Sequence, residues 1–420
     1  MKDLAVFLSI TLLAWLLIQV SLLLLFLLYL RAPCKKPLPD HRLPKTAVIL
    51  CLRGANPLLS DCLRSLLNQN YPQYDLKLII DSEEDPAWHI VVDILGEQTA
   101  ANLQVSSLIM PSSHCSLKCS SLVQAVSDLD DSYKAVAFVN ADVVVHSNWL
   151  RELVSPLVHP KVGATTGYPW YLPTGKYWGS SVRYLWNVFS VAKMHQYRIP
   201  WGGTLALKTD LIHTTGLLDK WERAYSEDTM IRSVLAKHGK KVIFVPSLII
   251  LHRQECNLPS LISWSKQQLL SYRLYHPQWL GVVADAILTV LLPNAMLVLS
   301  LTALCTKQWD VAAILLNGLG FYTQILLFFV LTIEKAVQQE LIKHEQALPK
   351  ISLATKAKMS ISSLLTLWVY GLAMISSLWM RQVDWGGVSY QVKGPWNIRL
   401  LKYCPCQVFD QANDRVGSEV

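Results

Sequence analysis

Charge is what this sequence has least of. Only 16% of its 420 residues are Asp, Glu, Lys or Arg, while 52% are hydrophobic. Soluble globular chains carry about 25% charged residues, so the deficit argues against a wholly soluble enzyme, a disordered scaffold or a coiled coil. A basic block is also missing. The net charge of +8 is scattered, which points to an anionic membrane surface or a phosphate ligand rather than nucleic acid. The nine cysteines are an odd number and form no C-x-x-C pairs near histidines. Neither a disulfide framework nor a structural zinc site is legible in them. They read as buried thiols of a reducing compartment, and Cys404-Pro405-Cys406 as part of an ordinary tail. No G-x-G-x-x-G and no P-loop occurs, so a Rossmann dehydrogenase and a P-loop NTPase lack their phosphate cradle. There is no internal repeat and no low-complexity segment. The length accommodates one large domain or two ordinary ones, plus membrane spans.

The hydrophobicity is concentrated in long runs. Leu4 to Leu30 contains no charged residue, and at about 1.5 Å per residue it exceeds a bilayer core. A signal peptide's apolar core runs only about 7–15 residues. The run leads into no small-residue cleavage site but into Arg31, Lys35, Lys36, Arg42 and Lys45, a collar that places the downstream chain on the cytoplasmic side. Residues 1–32 therefore read as an uncleaved anchor of an integral, multi-pass protein. Apolar runs return at Trp279–Cys305, Trp309–Ile333 and Met359–Met380, with Asp285 and Asp310 near span ends, where a carboxylate reaches the interface. The mixed stretch Glu334–Lys358 suits a helix on the cytoplasmic face, or a plain solvated helix. The expected plan is an anchor at 1–32, a cytoplasmic domain at 46–275, three spans within 279–380 with an interfacial helix at 334–358, and a tail at 381–420.

Within the central region, TAVILCL (46–52) is a short apolar run that reads as a buried strand. Asn56-Pro57 offers an N-cap and a proline at the first helical position, and Leu59, Cys62, Leu63, Leu66 and Leu67 recur at helical spacing. Leu76–Ile80 is the next strand, completing a βαβ unit and hence part of a parallel sheet. Ala135–Val139, Lys161–Gly167 and Lys241–Leu251 supply further extended segments. Ligands in such sheets sit beyond the carboxyl ends of the strands. Asp81 to Asp85 and Asn140-Ala141-Asp142 stand there. Carboxylates so placed can accept hydrogen bonds from a base or ribose, or hold a divalent cation against a diphosphate; each can equally cap a helix. Glu227 and Asp228 fall in the first turn of a helix that Ser226 would cap, a place the macrodipole favours. Just upstream, Gly202 and Gly203 allow close backbone approach to a substrate. Tyr168, Trp170, Tyr171, Tyr177 and Trp178 can stack on a sugar, meet a lipid, or pack in a core.

As a set, DSEEDPA (81–87), NADVVV (140–145), TGYPW (166–170), GGTLALKTDLI (202–212), SEDTMI (226–231), KQQLLSYR (266–273) and VDWGGVSYQV (383–392) resemble the family 2 glycosyltransferases. Within these they are similar to the ceramide glucosyltransferases and their bacterial lipid-glycosylating relatives. The resemblance implies an α/β GT-A fold, a Rossmann-like nucleotide-sugar domain, joined to transmembrane helices. It implies inverting transfer of a hexose, glucose from UDP-glucose, to a lipid hydroxyl such as that of ceramide, with Mg²⁺ or Mn²⁺. Residue by residue, Asp85 matches the family's first essential aspartate and Asp81 an acid on the uracil or ribose. Asn140 and Asp142 fill the D-x-D motif, with Asp142 the metal ligand. Asp228 matches the general base, with Glu227 beside it. Gln268 opens the Q-x-x-R-W motif, and Gly202, Gly203 and Trp170 lie on the donor and acceptor side. Arg273, one residue beyond the motif's reach, reads either as serving the diphosphate or as an ordinary interfacial arginine. Two departures stand out: Asn140 replaces the first D-x-D acid, and Gln268 is followed by Leu269, Leu270, Ser271 and Tyr272. His195 lies near a histidine of the family and is given no role. A processive polysaccharide synthase and a catalytically degenerate GT-A membrane protein are the alternatives. The expected partners are a nucleotide sugar and a membrane lipid, with no nucleic acid and no obligate protein partner.

Overall fold

The computed structural model describes residues 1–32, 36–97, 102–172, 176–344 and 352–406. Seven strands among these form the central sheet: β1 (Thr46–Leu52), β2 (Tyr74–Ile80), β3 (Leu103–Ser107), β4 (Ala135–Val139), β5 (Val162–Tyr171), β6 (Thr204–Lys208) and β7 (Lys241–His252), in the order β3-β2-β1-β4-β6-β5-β7. β1, β2, β3 and β4 run parallel, β6 is antiparallel to both of its neighbours, and β5 pairs with β7 in parallel. β1 and β4 are almost entirely buried, as expected of strands covered by helices on both faces. In register, Leu52 faces Ile80 and Leu50 faces Val139. One edge of the sheet therefore delivers both acidic turns. The Asn56 side chain does cap the turn it opens, accepting from Leu58 N at 2.8 Å, and the regular helix begins at Leu59.

Among the described residues, four helices are long and apolar enough to cross a membrane: Lys2–Leu30, Trp279–Cys305, Trp309–Lys343 and Ala357–Trp379. The second holds one π-helical turn, Ile287–Leu291, just before Pro293; a proline that cannot donate its amide hydrogen bond is a common cause of such a widened turn. Its Thr289 hydroxyl accepts from Trp15 and Gln19 of the first span. Asp285 lies near the start of the second span and is engaged by protein groups. It is buried, paired with Lys193 Nζ at 2.5 Å and accepting from the Tyr370 hydroxyl at 3.1 Å. Asp310 is exposed at the start of its span.

Two parts of the expected plan change. The third span continues as one helix of 35 residues to Lys343, so 334–343 prolongs that span and is not a separate surface helix. The reason is Glu334, which is buried and accepts from Trp170 Nε1 at 3.2 Å and Tyr184 Oη at 2.8 Å, while Val337 and Leu341 pack on the sheet domain. Residues 345–351 lie outside the described residues, and 353 onward starts the fourth span's helix. The tail is folded at least to residue 402. β8 (Gln382–Trp385), β9 (Val388–Gly394) and β10 (Asn397–Lys402) form an antiparallel sheet, with Gly386 and Gly387 at φ +52° and +77° in a tight hairpin that demands glycine. Val383, Val388, Tyr390, Val392 and Ile398 join the main core. Lys35 of the basic collar and 407–420 of the tail fall outside the described residues.

Candidate active site

Asp142 stands just beyond β4, and His252 is the last residue of β7. Asp142 Oδ2 and His252 Nδ1 are 3.4 Å apart, and His252 Nε2 is buried without a hydrogen-bond partner. Burial pushes the Asp142 carboxyl up, but the hydrogen bond and charge of His252 outweigh it and leave the group below its usual range. One carboxylate, one imidazole and the oxygens of a diphosphate make a mixed donor set that Mg²⁺ or Mn²⁺ accepts. The orphaned imidazole nitrogen shows that the protein alone does not satisfy this corner.

Asn140 Oδ1 is already engaged. Lys118, from the helix Leu117–Ser127 whose start is capped by Ser116, donates to it at 2.9 Å and pairs with Glu227 Oε1 at 2.6 Å. Burial works against the ammonium charge, but the Glu227 carboxylate outweighs it and holds the lysine protonated well above the usual range. A built-in cation thus sits against Asn140, the residue that replaces the first D-x-D acid. Sequence reasoning missed both Lys118 and His252.

Ser226 does not cap a helix as expected; the regular helix starts later, at Ile231. The Ser226 hydroxyl turns to Asp228 Oδ1 at 2.9 Å, joined by Thr229 Oγ1 at 3.0 Å, while Oδ2 accepts from Gly202 N at 2.9 Å. Burial first, and then the neighbouring Glu227, raise the Asp228 carboxyl above its usual range, against the pull of Lys118 and the Gly202 amide. Gly202 therefore spends its amide on orienting Asp228. A Cβ there would lie 2.3 Å from Glu227 Oε1, and one at Gly203 would lie 2.2 Å from the Trp201 ring. Gly202→Ala is expected to destabilise the fold by about 1–3 kcal/mol through overpacking, read as a lowered Tm.

Asp81 and Asp85 form a second group beside β1. Asp85 is fully buried and accepts from Gly54 N at 2.9 and 3.0 Å and from Ala87 N at 2.8 Å, so both oxygens pin loops. Asp81 pairs with Arg53, whose guanidinium also donates to Gly386 O and to Cys404 O at 2.6 Å. The cysteine-bearing end of the tail is thereby tied to this corner. Asp81 Oδ1 is buried, and the Tyr403 hydroxyl stands beside Arg53 as a second donor to this carboxylate.

The remaining expected residues separate. Gln268, Gly202 and Gly203 line the central cavity. Trp170 is only 1% exposed, and its indole is committed to Glu334, so it packs the core instead of meeting an acceptor. Arg273 turns to the carbonyls that end the fourth span, including Met380 O at 2.8 Å. It completes a helix C-terminus and does not line the cavity. His195 likewise lies off it, bonded to the Tyr168 hydroxyl at 2.8 Å. Burial, then Arg198, push its pKa down to about 4.

The cavity itself is about 870 Å³. It is lined by Lys118, Asn140, Asp142, Asp228 and His252 of the sheet domain, by Trp264, Tyr272 and Asp285, and by Leu316, Leu319, Leu367 and other residues of the spans.

Similarity to known proteins extends to family and to fold. The chain matches the description "Glycosyl transferase family 21" over residues 7–396. A ceramide glucosyltransferase from Pyricularia oryzae is 35% identical over 72 residues, a stretch that spans 17% of this chain and only 15% of that enzyme. A mannosyltransferase from Pyrobaculum calidifontis, solved in complex with GDP-Man and Mn²⁺, superposes with a TM-score of 0.50 at 15% identity, covering 89% of this chain and 99% of that one. That likeness concerns the fold: a GT-A sheet with helices on both faces, here accompanied by four apolar helices.

Proposed function

This chain belongs to glycosyltransferase family 21, and from that premise we propose that it moves a hexose, glucose from UDP-glucose, onto the hydroxyl of a membrane lipid such as ceramide, with inversion at the anomeric carbon. The observation that carries this reading is a single cavity lined both by the acids of the sheet domain and by apolar residues of the spans. A lipid whose chains lie among the spans would bring its headgroup hydroxyl to Asp228. Its oxygen attacks the anomeric carbon as the bond to the diphosphate breaks, the proton passes to Asp228, and UDP leaves with the bonding pair. Asp228 is positioned for this by Gly202, Ser226 and Thr229. Asp142 and His252 would hold the divalent cation, which supplies charge stabilisation to the leaving diphosphate. Lys118 adds a fixed positive charge to the same cavity, and Asp81 would take a hydrogen bond from the nucleoside.

The pH profile is set by Asp228. A base must be unprotonated to act, so kcat/KM falls as pH drops through its pKa. Since burial and Glu227 raise that pKa, the acid limb is expected above the ordinary carboxylate value of about 3.9. Glu227→Gln removes a negative neighbour and should move the limb to lower pH; an unmoved limb would sever Glu227 from the base.

The reading itself is tested with a panel of isotope-labelled UDP- and GDP-sugars, each incubated with the purified chain and total membrane lipid. Label entering the lipid phase from UDP-glucose is the expected result. Label entering only water-soluble products from every donor would overturn it.

A further inference from the structure

Three elements meet away from the cavity: the loop after β4, the helix Trp149–Val154 and the inner end of the third span. They bring together His146, Glu152 and His344, and one ligand atom from each lies within 4.8 Å of the others. His146 Nε2 is 3.9 Å from Glu152 Oε2 and is buried without a hydrogen-bond partner. The two imidazoles stack, with ring centroids 4.1 Å apart and planes 22° from parallel. Stacking accounts for the rings' faces and leaves the orphaned nitrogen unexplained, and a buried polar atom without a partner is costly. The Ser247 hydroxyl donates to Glu152 Oε2, the kind of outer contact that orients a ligating carboxylate. Glu340 lies one helical turn before His344, on the same face, is 7% exposed, and has one carboxylate oxygen paired with Lys343 Nζ at 2.5 Å. None of these residues lines the cavity.

We propose that His146, Glu152 and His344 bind a structural zinc ion, with Glu340 or a water as fourth ligand, and that this ion fastens the third span to the sheet domain. Two imidazoles and a carboxylate suit Zn²⁺ better than Mg²⁺ or Ca²⁺. Zinc bonds of about 2.0–2.1 Å in a tetrahedron set ligand atoms about 3.4 Å apart. The His146–Glu152 gap is 3.9 Å and all three atoms lie within 4.8 Å of one another. Because the ion must lie in the plane of both imidazoles, the His344 ring turns out of the stack on binding. The proposal is independent of the sugar-transfer reading, because it shares no residue with Asp142 or His252.

The test uses the full chain in detergent, freed of any metal-affinity tag, dialysed against Zn²⁺ and then against metal-free buffer. Elemental analysis is expected to find about one zinc per chain. That zinc should persist in Asp142→Ala and fall at least tenfold in His344→Ala and in His146→Gln. Cobalt substitution of the wild-type chain should give the strong visible absorption of a tetrahedral site, bleached by added Zn²⁺, and this reading does not depend on a variant folding. Chelation should lower the Tm of the wild type and leave that of His344→Ala unchanged. A folded wild-type chain that retains neither zinc nor cobalt, or folded variants that retain zinc undiminished, would overturn the proposal.

Discussion

Asp228→Asn is expected to lower transfer about 10³-fold while leaving UDP-sugar binding within a few-fold of the wild type. A positioned general base contributes roughly 10²–10⁴ in rate, and asparagine keeps the shape of the side chain while losing its capacity to take a proton. The surroundings make the test clean. The Ser226 and Thr229 hydroxyls hold one carboxylate oxygen and the Gly202 amide the other. The asparagine oxygen can accept from Gly202, while its NH2 donates to hydroxyls that can turn to accept. Binding measured by donor titration against turnover with lipid separates the two effects. Transfer within tenfold of wild type would remove Asp228 from the proton path.

Asp142→Ala comes second in size. Removing a charge aimed at a leaving group costs about 10²–10³ in rate, and here the loss should appear with weakened donor binding, because the same cation would grip the ground-state diphosphate. His252→Ala should act in the same direction, since its ring is the partner that draws Asp142 below its usual range. Raised Mg²⁺ or Mn²⁺ should rescue His252→Ala in part and Asp142→Ala less. Lys118 gives this experiment a real alternative. If its ammonium alone neutralised the diphosphate, chelators would leave transfer intact and Lys118→Met would carry the large loss.

The parts of the molecule that could be read from the sequence are those whose signal is local. β1, β4 and β7 are near-continuous apolar runs because both of their faces are covered, and four of the apolar runs are long enough to declare themselves. β3 was not legible: LQVSS mixes polar residues at a half-buried sheet edge. The strand β6 was hidden inside a motif read for its glycines. At the site, Asp142, Asp228, Gly202 and Gly203 followed from strand ends, turn chemistry and the resemblance. Lys118 and His252 did not, since each matters only through a partner more than twenty residues away. No periodicity records such a contact. The same holds for Trp170 and Glu334, 164 positions apart. Their pairing converts an expected acceptor-stacking aromatic into core, and an expected surface helix into the extension of a span. VSYQV in the tail did carry a period-two signal, and its alternate residues Val388, Tyr390 and Val392 are the ones that became buried.

If the acids and the spans serve one reaction, the product made from UDP-glucose and membrane lipid reveals it. Purified chain in mixed micelles should yield a lipid bearing one hexose, in the β configuration by NMR coupling when the donor is α-linked, and Asp228→Asn should yield none above background. A polymeric product, retention of the α configuration, or equal product from the Asp228→Asn chain would contradict the account.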